Sequence, residues 1–312
     1  MNKTLALSLA AVVLIVGTVA EARAGSLRER LRERIAARES GSPRQGDALA
    51  APRPITIAYG QDPHQRIDVW KPQGVSAKAP LVMYVHGGGW KRGSKETAAS
   101  KWSPVHFPGQ GYVYASINYR LVPENTVEYE ASDVAHALKA LLDAADRLGI
   151  DRSRVVIIGH SAGAHLVALV GTDESYLRSA GLSFADIDGV IPNDGAAYDV
   201  PRQMAEGGNF MHDTYIQAFG EDPARQRALS PALHADAPNA PAFLLLHVQR
   251  QDGIAQAKEL EEALHKGGTA VERRDFPGNG LKGHMEINRQ LGNPDYAATP
   301  VVDAWLKKVF GK

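Results

Sequence analysis

A serine stands at the centre of a G-x-S-x-G pattern, "GHSAG", at residues 159–163. The apolar run "RVVIIGH" at 154–160 predicts a buried strand, and the residues after Ser161 predict a helix. A serine in a tight strand-to-helix turn projects its hydroxyl above the sheet, where it can attack a substrate. Gly159 and Gly163 would remove side chains that collide with the neighbouring strand and helix. We therefore predict that Ser161 is a nucleophile.

Three consecutive glycines follow a second apolar run, in "VHGGGWKRGS" at residues 85–94. Glycine costs conformational entropy, so three in a row are expected where the backbone bends sharply or comes very close to a ligand. Attack of an alkoxide on a carbonyl creates an oxyanion, which backbone N–H groups of a glycine turn can hold without steric obstruction. We expect Gly88 and Gly89 to donate to this oxyanion, with Gly87 as an alternative and Ala162 as the third donor.

Several motifs together resemble those of the α/β-hydrolases of the esterase and lipase type. Besides "HGGG" and "GHSAG", they are "NYRLVPE" at 118–124, "EASDVAHAL" at 130–138 and "FPGNGLKGHMEI" at 276–287. The resemblance covers roughly residues 54–310. Within the family, the chain is most similar to small carboxylesterases, the feruloyl-esterase-like branch and kynurenine formamidases. It lacks the D-P-L-x-D acid motif of the hormone-sensitive-lipase branch.

This resemblance implies a serine hydrolase that cleaves small carboxylic esters through an acyl-enzyme and needs no cofactor. Hydrolysis of amides, as in kynurenine formamidases or peptidases, is the alternative activity. A binding protein on an inactive hydrolase fold is a third interpretation, which the presence of every candidate triad residue disfavours.

A catalytic acid and then a histidine are expected to follow Ser161 along the chain. His284 lies in the glycine-flanked segment "GLKGHME" after the last predicted strand, where we expect a loop that carries the catalytic base. Asp252, in "QRQDG" after the preceding apolar run, is our candidate for the acid. Asp199 is the first alternative for the acid, and Asp275 is a weaker one.

Residues 200–237 form the one sizeable insertion, which is too short for a large independent cap domain. Phe210 and Tyr215 within it are candidates to line a substrate pocket under a small lid. They are equally compatible with the core of a short helical connection. Trp90, directly after the glycines, either forms a wall of the pocket or packs beneath the loop.

Strands alternate with helices from residue 54 onward, and several strands are continuous apolar runs, as in a parallel sheet that helices cover on both faces. We predict one α/β domain over 54–312, with an α/β-hydrolase fold, about eight strands and a small insertion after strand six. The predicted strands are 55–60, 66–72, 80–86, 112–119, 154–160, 188–195, 241–248 and 271–278.

Composition excludes several classes of function. The 35 basic residues balance the 35 acidic ones, so the chain has no electrostatic footprint for nucleic acid. It has no cysteine, which excludes disulfides and thiolate metal sites. No group of residues has the spacing of a metal site, and the dinucleotide motif G-x-G-x-x-G is absent.

The first 24 residues have the pattern of an export signal. A lysine precedes the uncharged apolar stretch at 5–20, and small residues precede a cleavage position at Gly25. We expect export to the periplasm or the exterior, with no stable membrane anchor after cleavage; an uncleaved anchor is the alternative. Residues 25–53 are expected to form a charged, partly helical linker.

Overall fold

Eight strands form one sheet in the part of the chain that the structure, a computed structural model, describes: residues 51–74, 77–98, 101–206, 209–236 and 238–311. The expected export signal, and nearly all of the linker at 25–53, lie outside these residues. The strands are β1 (Ile55–Ala58), β2 (Arg66–Trp70), β3 (Ala79–Val85), β4 (Val113–Ile117), β5 (Ile150–His160), β6 (Gly189–Asn193), β7 (Ala242–Gln249) and β8 (Ala270–Asn279).

The sheet has the spatial order β1-β2-β4-β3-β5-β6-β7-β8. β2 pairs antiparallel with both β1 and β4, and every other neighbouring pair is parallel. The prediction of about eight mostly parallel strands is therefore confirmed. All seven residues of β3 are buried, as expected for a central strand that is covered on both faces.

Helices cover both faces of the sheet, as predicted. One face carries α3 and α5, and the other carries α2, α12 and α13. None of the helices in the described part of the chain combines the length and apolar composition that a bilayer crossing needs. The helices are α1 (Lys95–Ala98), α2 (Ser103–Gly109), α3 (Val127–Asp143), α4 (Ala145–Leu148), α5 (Ala162–Thr172), α6 (Glu174–Ser179), α7 (Val200–Glu206), α8 (Asn209–Phe219), α9 (Pro223–Ala228), α10 (Pro231–His234), α11 (Gln251–Lys266), α12 (Gly280–Arg289) and α13 (Ala298–Phe310).

Three local predictions need correction. His284 lies within α12 and not in a loop, and Asp252 lies in the first turn of α11. β6 ends at Asn193, whereas the sequence predicted a strand that continued to residue 195. The described residues of the insertion form the four short helices α7 to α10, which agrees with a short helical connection.

The strand register brings three chain segments to one edge of the sheet. Val85 at the end of β3 pairs with Gly159, and His160 at the end of β5 pairs with Asn193 at the end of β6. Because these three strands are parallel, the residues that follow them leave the sheet side by side. The glycine loop, Ser161 and the segment after β6 are therefore neighbours, although 108 residues separate Val85 from Asn193 along the chain.

A buried ion pair anchors the far end of the glycine loop. The Lys95 ammonium donates to Asp68 Oδ2 (2.9 Å), and the two side chains are 9% and 6% exposed. The Lys95 N–H donates to Asn118 Oδ1, and the Ser116 hydroxyl donates to the Lys95 carbonyl. These bonds hold the start of α1 against β2 and β4, and so hold the loop that precedes it.

Truncation of this ion pair should destabilise the fold. Asp68→Ala leaves the buried Lys95 ammonium with only the partly exposed Glu96 as a charged partner, so we expect a loss of roughly 3 kcal/mol in the free energy of unfolding. Urea denaturation at neutral pH measures the loss. Asp146→Ala, which breaks the exposed pair of Asp146 with Lys78, is the control and should leave the midpoint unchanged. Equal midpoints for the two variants would contradict this anchoring role.

Candidate active site

Ser161 occupies a strained turn between β5 and α5. Its backbone has φ 57° and ψ −118°, a conformation that residues with a side chain rarely adopt. The Ser161 N–H donates to the Asn193 carbonyl (3.1 Å), and the Ser161 carbonyl accepts from the Ala164 N–H (3.0 Å). These bonds to the neighbouring strand and to the helix hold the turn in place.

The two glycines of the motif permit this turn because backbone fills the space around them. A Cβ atom added at Gly159 would lie 2.1 Å from the Gly163 carbonyl oxygen. A Cβ atom added at Gly163 would lie 2.2 Å from the Val85 carbonyl oxygen and 2.5 Å from that of His86. The glycines therefore have the steric role that the sequence predicted, since α5 begins in direct contact with the end of β3.

His284 reaches Ser161 from α12. The Ser161 hydroxyl lies 3.0 Å from His284 Nε2, and His284 Nδ1 lies 2.6 Å from Oδ2 of Asp194. With a proton on Nδ1, the imidazole donates to the carboxylate and presents an unprotonated nitrogen to the serine. The three side chains form a continuous hydrogen-bonded chain.

The carboxylate in this chain belongs to Asp194 and not to Asp252, the acid that we predicted. Asp194 directly follows β6, has φ 48° and is fully buried. Its Oδ1 accepts from the Val248 N–H at 3.0 Å. Asp252 instead contacts the guanidinium of Arg250 (3.0 Å), and its side chain is 42% exposed. The predicted strand over 188–195 placed Asp194 inside a strand, so Asp194 was not among our candidate acids.

The two alternative acids, Asp199 and Asp275, form hydrogen bonds with other groups. Asp199 Oδ1 accepts from the Arg202 N–H at 2.9 Å and caps the start of α7. Asp275 lies in β8 and accepts from the side-chain amide of Gln249 at 3.1 Å. The structure therefore brings neither residue to His284.

Asp194 is held in its ionised form. Burial alone would raise the pKa of Asp194, but the hydrogen bond from His284 and the charge of Arg250 outweigh burial and lower this pKa to about 2. The carboxylate is therefore negative at neutral pH. It can orient the imidazole and stabilise an imidazolium beside it.

The glycine loop presents free backbone donors next to Ser161. Gly88 and Gly89 have φ values of 131° and 61°, where glycine is favoured. Among the described residues, no hydrogen bond to a protein acceptor uses the N–H of Gly88, Gly89 or Ala162. The alternative residue, Gly87, lies so close to the turn that an added Cβ would be 2.8 Å from the Ser161 Cβ. Donation by these groups to a substrate oxygen stays a prediction.

His86 stabilises the glycine loop through a hydrogen bond and ring stacking. Its Nδ1 donates to the Gly87 carbonyl at 2.8 Å, and its ring stacks on Tyr119 with the centroids 4.2 Å apart. The Tyr119 hydroxyl donates back to the His86 carbonyl at 2.8 Å. The conformation of the loop is therefore set before any substrate binds.

The candidate pocket residues pack as an aromatic cluster beside this loop. Trp90 is 3% exposed, and its Nε1 donates to Nδ1 of His165 (3.3 Å). Tyr215 is 5% exposed and, like Phe219, packs against Trp90. Trp90 is therefore buried among these side chains, in agreement with the alternative prediction that it packs beneath the loop. Asn209 and Phe210 are the first two residues of α8, but the side chain of Phe210 lies outside the described part of the structure.

Helix α8 also covers the loop directly. A Cβ atom added at Gly89 would lie 3.0 Å from Cγ2 of Thr214. The insertion therefore contacts one of the predicted oxyanion donors and limits the space on that side of Ser161. No group of described residues has the arrangement of His, Asp and Glu side chains that a metal ion requires.

Three buried histidines surround the site in neutral form. Burial lowers the pKa of His86 and of His165 from 6.5 to about 4. Burial, with help from the neighbouring His284, lowers the pKa of His160 from 6.5 to about 3. The His160 ring packs on His284 at 4.5 Å, and its Nε2 donates to the His284 carbonyl at 2.9 Å. His160 therefore holds the backbone of His284 as well as packing at the turn.

These histidines should make the protein sensitive to acid. Each binds a proton in the unfolded chain below about pH 6.5 and stays neutral in the folded protein, so the stability they provide is complete above that pH and falls as the pH decreases. Each contributes at most about 1.4 kcal/mol per pH unit, so the free energy of unfolding should fall by up to about 4 kcal/mol per unit below about pH 5.5. Urea denaturation from neutral to mildly acidic pH measures this slope.

Substitution of one buried histidine distinguishes the contribution of these histidines to the slope from that of other titratable groups. His165→Gln should reduce the slope by about a third, because glutamine does not titrate. His136→Gln, at an exposed position on α3, is the control and should leave the slope unchanged. A stability that does not change between pH 6.5 and pH 5 would contradict neutral, buried histidines.

The chain matches one family model and several curated relatives. The model of the BD-FAE family matches residues 67–264, well over half of the chain. Esterase LipC of Mycobacterium tuberculosis is 31% identical over 237 residues, which are 72% of this chain but only 58% of LipC. Kynurenine formamidase of Salmo salar is 28% identical over 270 residues, which are 83% of this chain and 82% of that protein.

Solved structures agree on the fold. The crystal structure of esterase B from Lactobacillus Rhamnosis (HN001) matches with a TM-score of 0.69 at 20% identity, over 95% of this chain and 94% of that one. The sheet order and this likeness confirm the predicted α/β-hydrolase fold. The chain belongs to the BD-FAE family.

Proposed function

We propose that this protein is a serine hydrolase that cleaves small carboxylic esters through an acyl-enzyme. The hydrogen-bonded chain Ser161–His284–Asp194 carries this proposal, because it joins a nucleophile, a base and a buried carboxylate within 3.0 Å at each step. The names of the esterase relatives support an ester as the substrate.

In this mechanism Ser161 Oγ attacks the ester carbonyl while His284 Nε2 accepts the hydroxyl proton. The tetrahedral intermediate collapses when His284 returns that proton to the departing alcohol, and the acyl group stays on Ser161. Water then repeats the sequence, with His284 as the base that activates it. Asp194 holds the imidazole in the productive tautomer throughout.

The oxyanion of both tetrahedral intermediates would bind to the N–H groups of Gly88, Gly89 and Ala162. Ala162 is the first residue of α5, so its N–H also belongs to the positive end of the helix dipole. Because the fold fixes these donors in advance, they need no reorganisation as the charge develops.

Hydrolysis of an amide such as an N-formyl group is the second candidate function. Its support is the match to kynurenine formamidase of Salmo salar, which spans 82% of that protein. An export signal argues for the ester, since a formamidase of amino-acid breakdown acts on a substrate inside the cell. N-Formylkynurenine beside an ester panel decides between the two.

The identity of the acid is tested by asparagine variants. Asp194→Asn should lose on the order of 10³–10⁴ in kcat, because asparagine favours the wrong imidazole tautomer, as it does in serine proteases. Asp275→Asn, which stands in β8 away from His284, is the matched control and should stay within about twofold of the parent. Turnover of a nitrophenyl ester at the optimum pH measures both. Severe loss in Asp252→Asn with near-normal turnover in Asp194→Asn would contradict the assignment.

Short acyl groups should be preferred. Helix α8 lies against Gly89, and the insertion is too short to enclose a long chain, so a shallow pocket is expected. On a nitrophenyl ester series that also includes methyl ferulate, kcat/KM should be highest for acyl chains of about two to six carbons. A preference for acyl chains of about twelve carbons or more would overturn this proposal.

We also propose that the protein acts outside the cytoplasm. The apolar stretch at 5–20 and the small residues before Gly25 support cleavage of an export signal. The intact mass of the chain recovered from the periplasm or medium of an expressing bacterium should correspond to residues 25–312. Recovery of the full-length chain from the membrane fraction would instead support an uncleaved anchor.

A further inference from the structure

Arg250 binds the same carboxylate oxygen as the histidine of the triad. Its Nε donates to Oδ2 of Asp194 at 3.2 Å, and that oxygen also accepts from His284 Nδ1 at 2.6 Å. A second guanidinium nitrogen donates to the main-chain carbonyls of Asp194 (3.3 Å) and Gly195 (3.1 Å). The third donates to Asp252 at 3.0 Å. Two of the three guanidinium nitrogens are therefore hydrogen-bonded to the segment that carries Asp194, and the third is hydrogen-bonded to Asp252.

The local sequence places the guanidinium there. Arg250 joins β7 to α11, and its side chain is only 16% exposed. Gly253, in the first turn of α11, leaves room for the guanidinium, since an added Cβ would lie 2.9 Å from a terminal guanidinium nitrogen. Asp252 lies on the more exposed side and partly balances the charge.

We propose that Arg250 is a positioning residue that sets the lower pH limit of catalysis by sharing Asp194 Oδ2 with His284. This inference rests on the proposed function. A cation bound to the acid weakens the attraction of that acid for a protonated imidazole. Arg250 therefore reduces the stabilisation that Asp194 gives to a protonated imidazole, which favours the form that accepts the serine proton. Asp252 has the opposite effect, because it offsets the charge of Arg250.

Burial shifts the pKa of each titratable group that packs beside His284 and Asp194, and it also lowers the pKa of His247. Burial lowers the pKa of His160 to about 3, and burial raises the pKa of Tyr296 to about 12 and that of Tyr198 further. The groups that interact with His284 or Asp194 are His160 from β5, Tyr198 after β6, His247 in β7, Arg250 after β7, and Tyr296 before α13. Asp252 contacts Arg250, and Glu286 on α12 interacts with Tyr296.

The pH profile of kcat/KM on the best ester tests the proposal. In Arg250→Gln the midpoint of the acidic limb should move up by about one pH unit, because the imidazolium gains an unshared carboxylate. In Asp252→Asn, a change at a side chain that is 42% exposed, the midpoint should move down by a smaller amount. Arg250→Lys keeps the charge and should return the midpoint close to that of the parent. Arg202→Gln, which removes an exposed arginine on α7, is the charge-matched control and should not move it.

A purely structural role for Arg250 gives a different result. It would lower kcat equally at every pH and leave the midpoint unchanged in both Arg250→Gln and Asp252→Asn, and that outcome would overturn the proposal. If Arg250→Gln fails to fold, the downward shift of the kcat/KM midpoint in Asp252→Asn tests the proposal by itself.

An NMR titration of the His284 ring protons in the substrate-free protein provides a readout that needs no turnover. The titration of His284 should move in the same directions in these variants. Such movement in a protein that hydrolyses no ester would mean that the proposed function is wrong while the electrostatic role of Arg250 stands.

Discussion

The structure depends on one close approach, between the first turn of α5 and the end of β3. Gly163 meets the carbonyl oxygens of Val85 and His86 with no space for a methyl group, and Gly159 meets the backbone of Gly163 in the same way. Only this approach permits the chain to reverse at Ser161 in a conformation that is unfavourable by itself. The energy that maintains the strain comes from the packing of α5 across the buried sheet. The same approach places the glycine loop, which follows β3, beside the serine.

The charge distribution of the site follows from the position of Asp194 at the end of β6. Because Asp194 directly follows β6 and is fully buried, it requires several donors, and it receives them from His284, Arg250 and the Val248 N–H. A buried carboxylate with these partners keeps its charge, which a base–nucleophile pair needs. The segment after β7, which the sequence suggested as the source of the acid, contributes the cation instead, with Asp252 as its outer partner.

The sequence predicted the features that depend on local chemistry, and it failed where the answer depends on tertiary contacts. The fold class, the turn at Ser161 and the pairing of Ser161 with His284 follow from apolar runs, glycine positions and chain order. Asp194 could not be identified in this way, because β6 ends at Asn193, two residues before the end of the predicted strand. Because β6 ends there, Asp194 lies just outside the strand, at the same edge of the sheet as Ser161. One signal was present: an aspartate followed by glycine directly after a buried strand, "NDG" at 193–195, is typical of a strand that ends in a turn. The packing of Trp90 beneath the loop also depended on distant residues, His165 and Phe219, that no local pattern identifies.

The central claim is that the triad makes Ser161 a nucleophile, and the most direct test is covalent capture. A fluorophosphonate reacts with activated serine hydroxyls and leaves a stable adduct whose position peptide mass spectrometry identifies. The account predicts one adduct per chain, on the peptide that contains Ser161, with labelling lost in Ser161→Ala and strongly slowed in His284→Gln. An adduct on a different serine, or a folded protein that forms none, would contradict it.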